Sequence, residues 1–396
     1  MKKVISIALA LLMVAVMLPV MAMADDVYTT LPTADSNGVI NLDKDVVLAD
    51  AVEINSDVTI DLHGWSITSS NGNSGKVIIA MANVTIKDSV GNGRIESTST
   101  SGGSSAAIRV GTAGTDKDIT VTIESGTMKG RDCGIFVAGI NSKLVVNGGY
   151  IEGTNGFGVS GNGSVKNGVP ECGPTTITIN GGKIIGGGTG IYHPQVGELT
   201  INNGEITGET GIEIRSGDLN VNGGVITATG NSTSTDPNGN GSTTVGAAIA
   251  VVQHTTEQPI NVKINGGSFN GVSALYEANP QGNPEDATKN VRIVVNSGTF
   301  NGDVNKDDVD ASNLLINGGT FTKKESGAEK YLANGKELDG KGNVVNKPGT
   351  PIIIYNPTVD TPKANDQKNP STGANDFVGV AAAMAVVSLL GAAAVI

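Results

Sequence analysis

The chain has 396 residues, of which 56 are glycine and only 3% are aromatic. Its formal net charge is −12, and no basic cluster interrupts the acidic balance, so charge argues against a nucleic-acid-binding protein. Glycine at this frequency without a collagen period is typical of low-complexity chains. Here, however, the glycines stand between short β-branched runs, which predicts an all-β fold with many tight turns.

The first 24 residues have the three parts of a secretory signal peptide. Two lysines precede an apolar segment, residues 4–20, and Ala22-Met23-Ala24 supplies the small residues of a cleavage site. We therefore expect residues 1–24 to be removed after Ala24. The rest of the chain is then expected to function outside the cytoplasm, as a secreted protein.

The chain contains two cysteines, Cys133 and Cys172. A disulfide is allowed outside the cytoplasm, and the two residues are separated by about two periods of the repeat described next. A bridge between neighbouring repeats is one interpretation. Two free buried thiols are the other.

Residues 25–322 carry a repeated pattern in which two apolar residues flank a polar one and are followed by a glycine turn. Ile177/Ile179, Leu199/Ile201 and Leu219/Val221 follow one another at spacings of 22 and 20 residues. The alternation within each unit has period two, which indicates strands. A fixed period of about this length predicts stacked repeats. The remaining units are Val84/Ile86, Val121/Ile123, Leu144/Val146, Val262/Ile264, Ile293/Val295 and Leu314/Ile316.

The fold that this pattern predicts is a right-handed parallel β-helix, a solenoid of about eleven coils whose sheet edges are hidden by stacking. Asparagine follows the apolar pair in seven successive units, which predicts a ladder of side-chain amides along the axis. The ladder is formed by Asn147, Asn180, Asn202, Asn222, Asn265, Asn296 and Asn317. It is expected to stop at Glu124, Lys87 and Asp61, which occupy the same place in earlier coils.

A second strand in each coil places one residue in the middle of its outer side. These positions form a predicted column of Arg109, Phe136, Gly158, Tyr192, Glu213, Ala250 and Tyr276. Aromatic rings flanked by charged groups suit a sugar, because rings stack on apolar sugar faces and charged groups bond to hydroxyls. The candidate ligand-binding residues are Arg109, Phe136, Tyr192, His193, Glu213, Arg215 and Tyr276. The alternative is that these rings pack beneath one of four insertions, at 97–118, 160–175, 229–245 and 277–290.

The coils resemble the pectin-lyase-like superfamily of right-handed β-helices, and also the Gly/Asn-rich β-helical surface proteins of gut Firmicutes. The resemblance covers about two-thirds of the chain and implies a fold more than a function. Lyases of this superfamily use calcium held by carboxylates with a basic residue, and its hydrolases use clustered aspartates. No pair of carboxylates recurs on adjacent coils here. The segment Asp303–Asp310 lacks the glycine that a calcium loop requires, so calcium is possible as a cofactor but no clear motif supports it.

The C-terminal part of the chain has no repeat. Residues 323–345 are expected to cap the solenoid, and the Pro-rich residues 346–368 to form an extended linker. Residues 369–396 begin with Asn369-Pro370-Ser371-Thr372-Gly373 and continue into a long apolar segment. The pentapeptide resembles the Leu-Pro-x-Thr-Gly sorting signal of Gram-positive surface proteins, with Asn in place of Leu and without a basic tail. The resemblance implies that a sortase cuts between Thr372 and Gly373 and links the protein to peptidoglycan.

Together these features predict a protein displayed on the cell wall of a Gram-positive bacterium. We expect it to bind an extracellular polysaccharide, or a host glycan or protein, as an adhesin. A polysaccharide lyase or glycoside hydrolase on the same fold is the first alternative. A ligand of host proteins, or a passive stalk, is the second.

Overall fold

A computed structural model describes residues 26–69, 75–100, 105–236, 241–306 and 314–349. The predicted signal peptide, nearly all of the predicted linker and the whole of the predicted sorting signal lie outside these residues. Within them, no helix is long and apolar enough to cross a membrane. The apolar segment that the sequence suggests as an anchor is among the residues that are not described.

Nearly all regular structure in the described residues is β-strand. The N-terminal strands are β1 Val39–Asn41, β2 Val46–Leu48, β3 Val52–Ile54, β4 Val58–Asp61, β5 Ser66–Ser69, β6 Lys76–Ala80, β7 Val84–Lys87, β8 Arg94–Ser97, β9 Ala106–Val110, β10 Thr120–Ile123, β11 Thr127–Gly130 and β12 Cys133–Val137. The middle strands are β13 Lys143–Val146, β14 Tyr150–Gly153, β15 Phe157–Ser160, β16 Val165–Lys166, β17 Val169–Pro170, β18 Thr175–Ile179, β19 Lys183–Gly186, β20 Thr189–His193, β21 Gly197–Ile201, β22 Glu205–Gly208, β23 Thr210–Ile214 and β24 Gly217–Val221. The C-terminal strands are β25 Val225–Ala228, β26 Ser234–Thr235, β27 Thr244–Val245, β28 Ala247–Val252, β29 Ile260–Ile264, β30 Ser268–Ala278, β31 Val291–Val295, β32 Thr299–Lys306, β33 Leu314–Ile316, β34 Thr320–Phe321, β35 Lys336–Leu338 and β36 Val344–Asn346.

The strands of successive coils stack in parallel on three faces. Face 1 consists of β1, β4, β7, β10, β13, β18, β21, β24, β29, β31 and β33. Face 2 consists of β2, β5, β8, β11, β14, β19, β22, β25 and the first parts of β30 and β32, and ends at β34. Face 3 consists of β3, β6, β9, β12, β15, β20, β23, β28 and the second parts of β30 and β32. This is a parallel β-helix, as the repeat predicts.

The apolar pairs of the repeat form the core because they lie in register on face 1. Ile177 pairs with Leu199, and Leu199 pairs with Leu219. All three side chains are fully buried, and burying each one contributes about 1.5–3 kcal/mol. Towards the C-terminal end the core contains a stack of phenylalanines, with Phe300 lying 4.7 Å from both Phe269 and Phe321 between ring centroids.

The predicted asparagine ladder is present on the surface of the helix. Each Nδ2 donates to the Oδ1 of the asparagine one coil earlier, from Asn180 to Asn147 at 2.9 Å through to Asn317 to Asn296 at 3.1 Å. The intermediate steps measure 2.8–3.0 Å. The ladder ends where the sequence predicts, since Asn147 donates to Glu124 Oε1 at 2.9 Å.

Both ends of the β-helix are covered by short segments. At the N-terminal end Tyr28 forms a bridge with Val46 and packs on the core. At the other end a 3-10 helix, Ala328–Tyr331, and the antiparallel hairpin β35–β36 follow the last coil. Leu332 and Val344 pack on the core there, so the apolar end of the solenoid is not left open.

The predicted insertion at 97–118 is wrong as a single segment, because it contains strand β9 of face 3 at Ala106–Val110. The other three predicted insertions contain small elements of their own. Residues 160–175 include the antiparallel pair β16–β17, and residues 229–245 include the antiparallel pair β26–β27. Residues 277–290 contain a short helix, α1, at Glu285–Thr288. The insertions at 160–175 and 229–245 contribute residues 161–165 and Gly241 beside face 3. They therefore determine which residues of that face remain accessible.

Cys133 and Cys172 are free and buried in the structure, so the disulfide that the sequence allowed is not formed in it. Burial raises the pKa of the Cys133 thiol to about 12 and that of the Cys172 thiol to about 11. Because the thiolate is the reactive form of cysteine, neither side chain is suited to act as a nucleophile.

Candidate functional site

The column predicted on the outer side of the second strand lies on face 3. Strand register places Arg109 beside Phe136, Tyr192 beside Glu213, and Ala250 beside Tyr276. One member is wrong: Ser160, not Gly158, stands between Phe136 and Tyr192. Gly158 points into the core, where a Cβ atom would lie only 2.4 Å from Ile184 Cγ2.

A cleft of about 530 Å³ opens on this face. Phe136 and Phe157, both half-buried, form the aromatic part of its lining, which is called the cleft floor below; Tyr192 also lines the cleft but is nearly buried. The rings of Phe157 and Tyr192 are stacked, with centroids 5.0 Å apart and planes inclined by 21°. One wall is the insertion segment 161–165, and the other consists of Gly241 and residues 254–256.

Residues 241–244, in the described part of the insertion at 229–245, cover three residues that the sequence suggested as exposed ligand contacts. Tyr192 is only 5% exposed, and Glu213 and Arg215 are fully buried. The Tyr192 hydroxyl donates to the Gly241 carbonyl at 2.8 Å, and Arg215 Nη1 donates to the same oxygen at 2.8 Å. The alternative interpretation, packing beneath an insertion, is therefore the correct one for these side chains.

Glu213 is the main anchor of this insertion. Ser242 Oγ donates to its Oε2 at 2.6 Å, and the backbone N–H groups of Thr243 and Thr244 donate at 3.0–3.1 Å. Arg215 Nε lies 3.9 Å from Glu213 Oε1. Burial raises the pKa of Glu213, while these donors and the guanidinium oppose that effect. The carboxylate thus binds the insertion to face 3.

His193 does not belong to the outer column. It follows Tyr192 in strand β20 and pairs with Ile214, a core residue, so it faces the interior. It is fully buried, and neither ring nitrogen has a hydrogen-bond partner among the described residues. Burial lowers the pKa of His193 to about 4. The neutral imidazole is a core side chain and not a ligand contact.

The two remaining candidates lie outside the cleft. Arg109 is half-buried, and its guanidinium carbon lies 5.9 Å from the centroid of the Phe136 ring. Tyr276 packs on Ala250 and two other buried residues of β28. Of the seven predicted residues, the cleft therefore unites Phe136 and Tyr192, with Arg109 next to it.

Phe157 was missed by the sequence analysis although it is half of the aromatic stack. The signal was present, because Phe157-Gly158-Val159 aligns with Thr189-Gly190-Ile191 when the coils are matched by their glycines. That alignment also gives Ser160 as the column member. The wall residues Gly241 and His254 could not be found in this way, since they belong to segments outside the period.

The carboxylates of the described residues do not form a metal site. No group of three or more His, Cys, Asp or Glu side chains is close enough to hold an ion in this part of the chain. Asp303, which begins the segment compared with a calcium loop, is paired with Lys323 at 2.6 Å. The other three acidic residues of that segment, Asp307, Asp308 and Asp310, lie outside the described residues.

The chain was compared with protein-family models, with curated protein sequences and with solved structures, and no match was found in any of the three. Its relationship to the pectin-lyase-like superfamily therefore remains the resemblance suggested by the repeat.

Proposed function

We propose that this protein is a surface-displayed binding protein whose cleft on face 3 holds a sugar chain. The observation that carries the proposal is the pair of half-buried rings Phe136 and Phe157 in the cleft lining, with Phe157 held by its stacking on the buried ring of Tyr192. Flat aromatic groups at the bottom of an open cleft match the apolar faces of sugar rings. The cleft volume of about 530 Å³ falls within the range of about 300–1,000 Å³ of small-ligand sites.

Polar groups on the cleft walls support the same ligand class. The Asp132 carboxylate accepts a hydrogen bond from the Ser105 backbone N–H at 2.8 Å and lines the cleft. Thr256 and His254 line it from the other side and are 3.1 Å apart at Oγ1 and Nδ1. A few fixed polar groups around an apolar floor give a sugar its orientation through its hydroxyls.

Glycan-array binding tests the proposal with aromatic substitutions in the cleft. Phe136→Ala and Phe157→Ala are each expected to weaken binding of the best glycan about tenfold, because a lost aromatic contact is worth about 0.5–1.5 kcal/mol beyond its area. Tyr276→Ala is the matched control, since it removes an aromatic side chain of the same column outside the cleft. Binding that survives both cleft substitutions would exclude the cleft as the glycan site.

The same array experiment separates the alternative functions. Release of shortened or unsaturated sugars from a bound polysaccharide would identify an enzyme instead of a binding protein. Retention of a host protein that contains no glycan, with no sugar bound, would favour a protein ligand. Binding of intact sugar chains without cleavage is the result that we expect.

We further propose that the protein is secreted and then linked to peptidoglycan of a Gram-positive cell wall. The support is the order of sequence features, namely a secretory signal, a Pro-rich linker, Asn369–Gly373 and a terminal apolar segment. The linker can extend at ~3.1 Å per residue. It would therefore hold the β-helix away from the wall surface.

Substitution within the pentapeptide tests this anchoring. Thr372→Ala should abolish covalent attachment, so that muramidase digestion of isolated walls releases the parent protein but not the variant. Ser371→Ala is the control, because the third position of the motif is variable in the family that it resembles. Equal release of the two variants would mean that the pentapeptide is not a sorting signal.

A further inference from the structure

Two basic side chains of face 3 lie on adjacent coils, and one of them, Arg109, contacts the cleft residue Phe136. Lys76 begins strand β6 and Arg109 lies in the neighbouring strand β9; the register pairs Lys76 with Ala106 and Arg109 with Ile79, so the two basic residues are three positions apart. Phe157 and Tyr192 have the same offset on their neighbouring strands, and their ring centroids are 5.0 Å apart. Lys76 is only 8% exposed, yet its ammonium group forms no hydrogen bond or ion pair within the described part of the chain. Several more exposed lysines do form ion pairs, for example Lys129 with Glu152 at 3.4 Å.

A lysine side chain with so little exposure loses part of its hydration, and this loss is costly because no bonded partner compensates for it. Burial lowers the pKa of Lys76, and the nearby positive charge of Arg109 lowers it further. The Asp132 charge opposes these effects, but one oxygen of that carboxylate already accepts the Ser105 N–H. Lys76 therefore lies in a local field that favours the arrival of an anion.

Arg109 retains most of its bonding capacity. Its Nε donates to the Gly111 carbonyl at 3.1 Å, and it forms no ion pair with a carboxylate of the described residues. A guanidinium group has five N–H donors arranged to match an oxyanion. The guanidinium lies over the ring of Phe136, which is part of the cleft floor. Its unpaired N–H donors are therefore close to the edge of the cleft.

We propose that Lys76 and Arg109 form a binding site for one oxyanion, a sulfate ester or a carboxylate, of a ligand whose neighbouring ring lies on Phe136. The guanidinium and the ammonium would donate to the anion from adjacent coils. The anion would relieve the repulsion between the two cations. If the ligand is a sugar, as the proposed function holds, it is an acidic sugar; the anion site itself does not rest on the proposed function.

Side-chain NMR of the full chain labelled with carbon-13 and nitrogen-15 in lysine tests the site without any sugar. The Lys76 signal, assigned as the one missing from Lys76→Arg, is followed during titration with sodium sulfate and, separately, with sodium acetate. Sodium chloride at equal ionic strength is the reference. We expect a saturable change at Lys76 with at least one of the two anions and a rise of its measured pKa, because a bound anion favours the charged ammonium.

Lys263 provides the internal control, because it and Arg292 are both exposed on neighbouring strands of face 1, two register positions apart. Arg109→Met should weaken the response of Lys76 about tenfold and leave the response of Lys263 unchanged, since about 1.4 kcal/mol is a modest loss for one charged hydrogen-bond donor. Saturation by sulfate or by acetate identifies the preferred group.

The proposal is overturned if Lys76 responds no more than Lys263, or if Arg109→Met responds like the parent. Either result would leave sugar binding on the aromatic floor untouched. Conversely, a protein that binds sulfate or acetate at Lys76 but no glycan on the array would retain the anion site and lose the proposed function.

Discussion

Replacing Glu213 with Ala is expected to lower the free energy of unfolding by about 3–5 kcal/mol, because it leaves the fully buried Arg215 without its compensating charge. The substitution also removes the acceptor of Ser242 Oγ and of two backbone N–H groups. The insertion at 229–245 should then separate from face 3. Urea unfolding measures the first effect, and limited proteolysis within the insertion measures the second.

Glu205→Ala is the matched control for this experiment. Glu205 forms an ion pair with Lys183 at 3.7 Å, but its side chain is 64% exposed, so its loss should cost less than about 1 kcal/mol. Glu213→Gln retains the shape and removes the charge, and its cost should lie between the two. Equal stability of Glu213→Ala and Glu205→Ala would show that Glu213 does not anchor the insertion.

The anchor also connects the stability of the insertion to the proposed binding site. Gly241 forms part of the cleft wall, and its carbonyl accepts the hydrogen bonds of Tyr192 and Arg215. An insertion released by Glu213→Ala would remove this wall and uncover the stacked ring of Tyr192. Tyr192, Glu213 and Arg215 were predicted to contact the ligand. Their hydrogen bonds instead hold in place a segment that lines the cleft.

The fold was predictable because each coil repeats the same local sequence pattern, an alternating apolar pair followed by a glycine turn. The apolar pairs such as Ile177/Ile179 alternate with period two, and their spacing fixes the register of face 1. The asparagines that follow them form a ladder for the same reason, since residues at equal places in stacked coils lie about 4.8 Å apart. The second apolar strand, on face 3, follows the same rule.

The site was predictable only where it obeys the repeat. Phe136 and Tyr192 lie on the outer side of face 3, as expected, and both line the cleft. The burial of Glu213 could not be inferred, because it depends on how the insertion at 229–245 folds back. The inward orientation of His193 follows from alternation alone, because it comes directly after the outward Tyr192 and pairs with the core residue Ile214.

His193 gives the protein an acid-sensitive core. Its pKa is lowered from 6.5 to about 4 by burial, so the unfolded chain binds a proton between these pH values while the folded chain does not. Stability must therefore fall as the pH falls through this range. The difference between the two pKa values corresponds to about 3 kcal/mol, and below about pH 4 the loss reaches its limit.

Substitution isolates this contribution from that of the many carboxylates. His193→Leu places an apolar side chain of similar size beside Ile214 and removes the titrating group. The stability difference between the variant and the parent should shift by about 3 kcal/mol in favour of the variant as the pH is lowered from about 7 to about 4, as measured by urea unfolding at each pH.

Ile191→Val is the control for a change in the same strand without a titrating group. It should lower stability by about 0.5–1.5 kcal/mol at every pH, because only a methylene group is lost from the core. If the free energies of unfolding of His193→Leu and of the parent change with pH in parallel, the imidazole becomes protonated inside the folded protein near its ordinary pKa. In that case the interior of face 3 would have to supply a hydrogen-bond acceptor, or water, at His193.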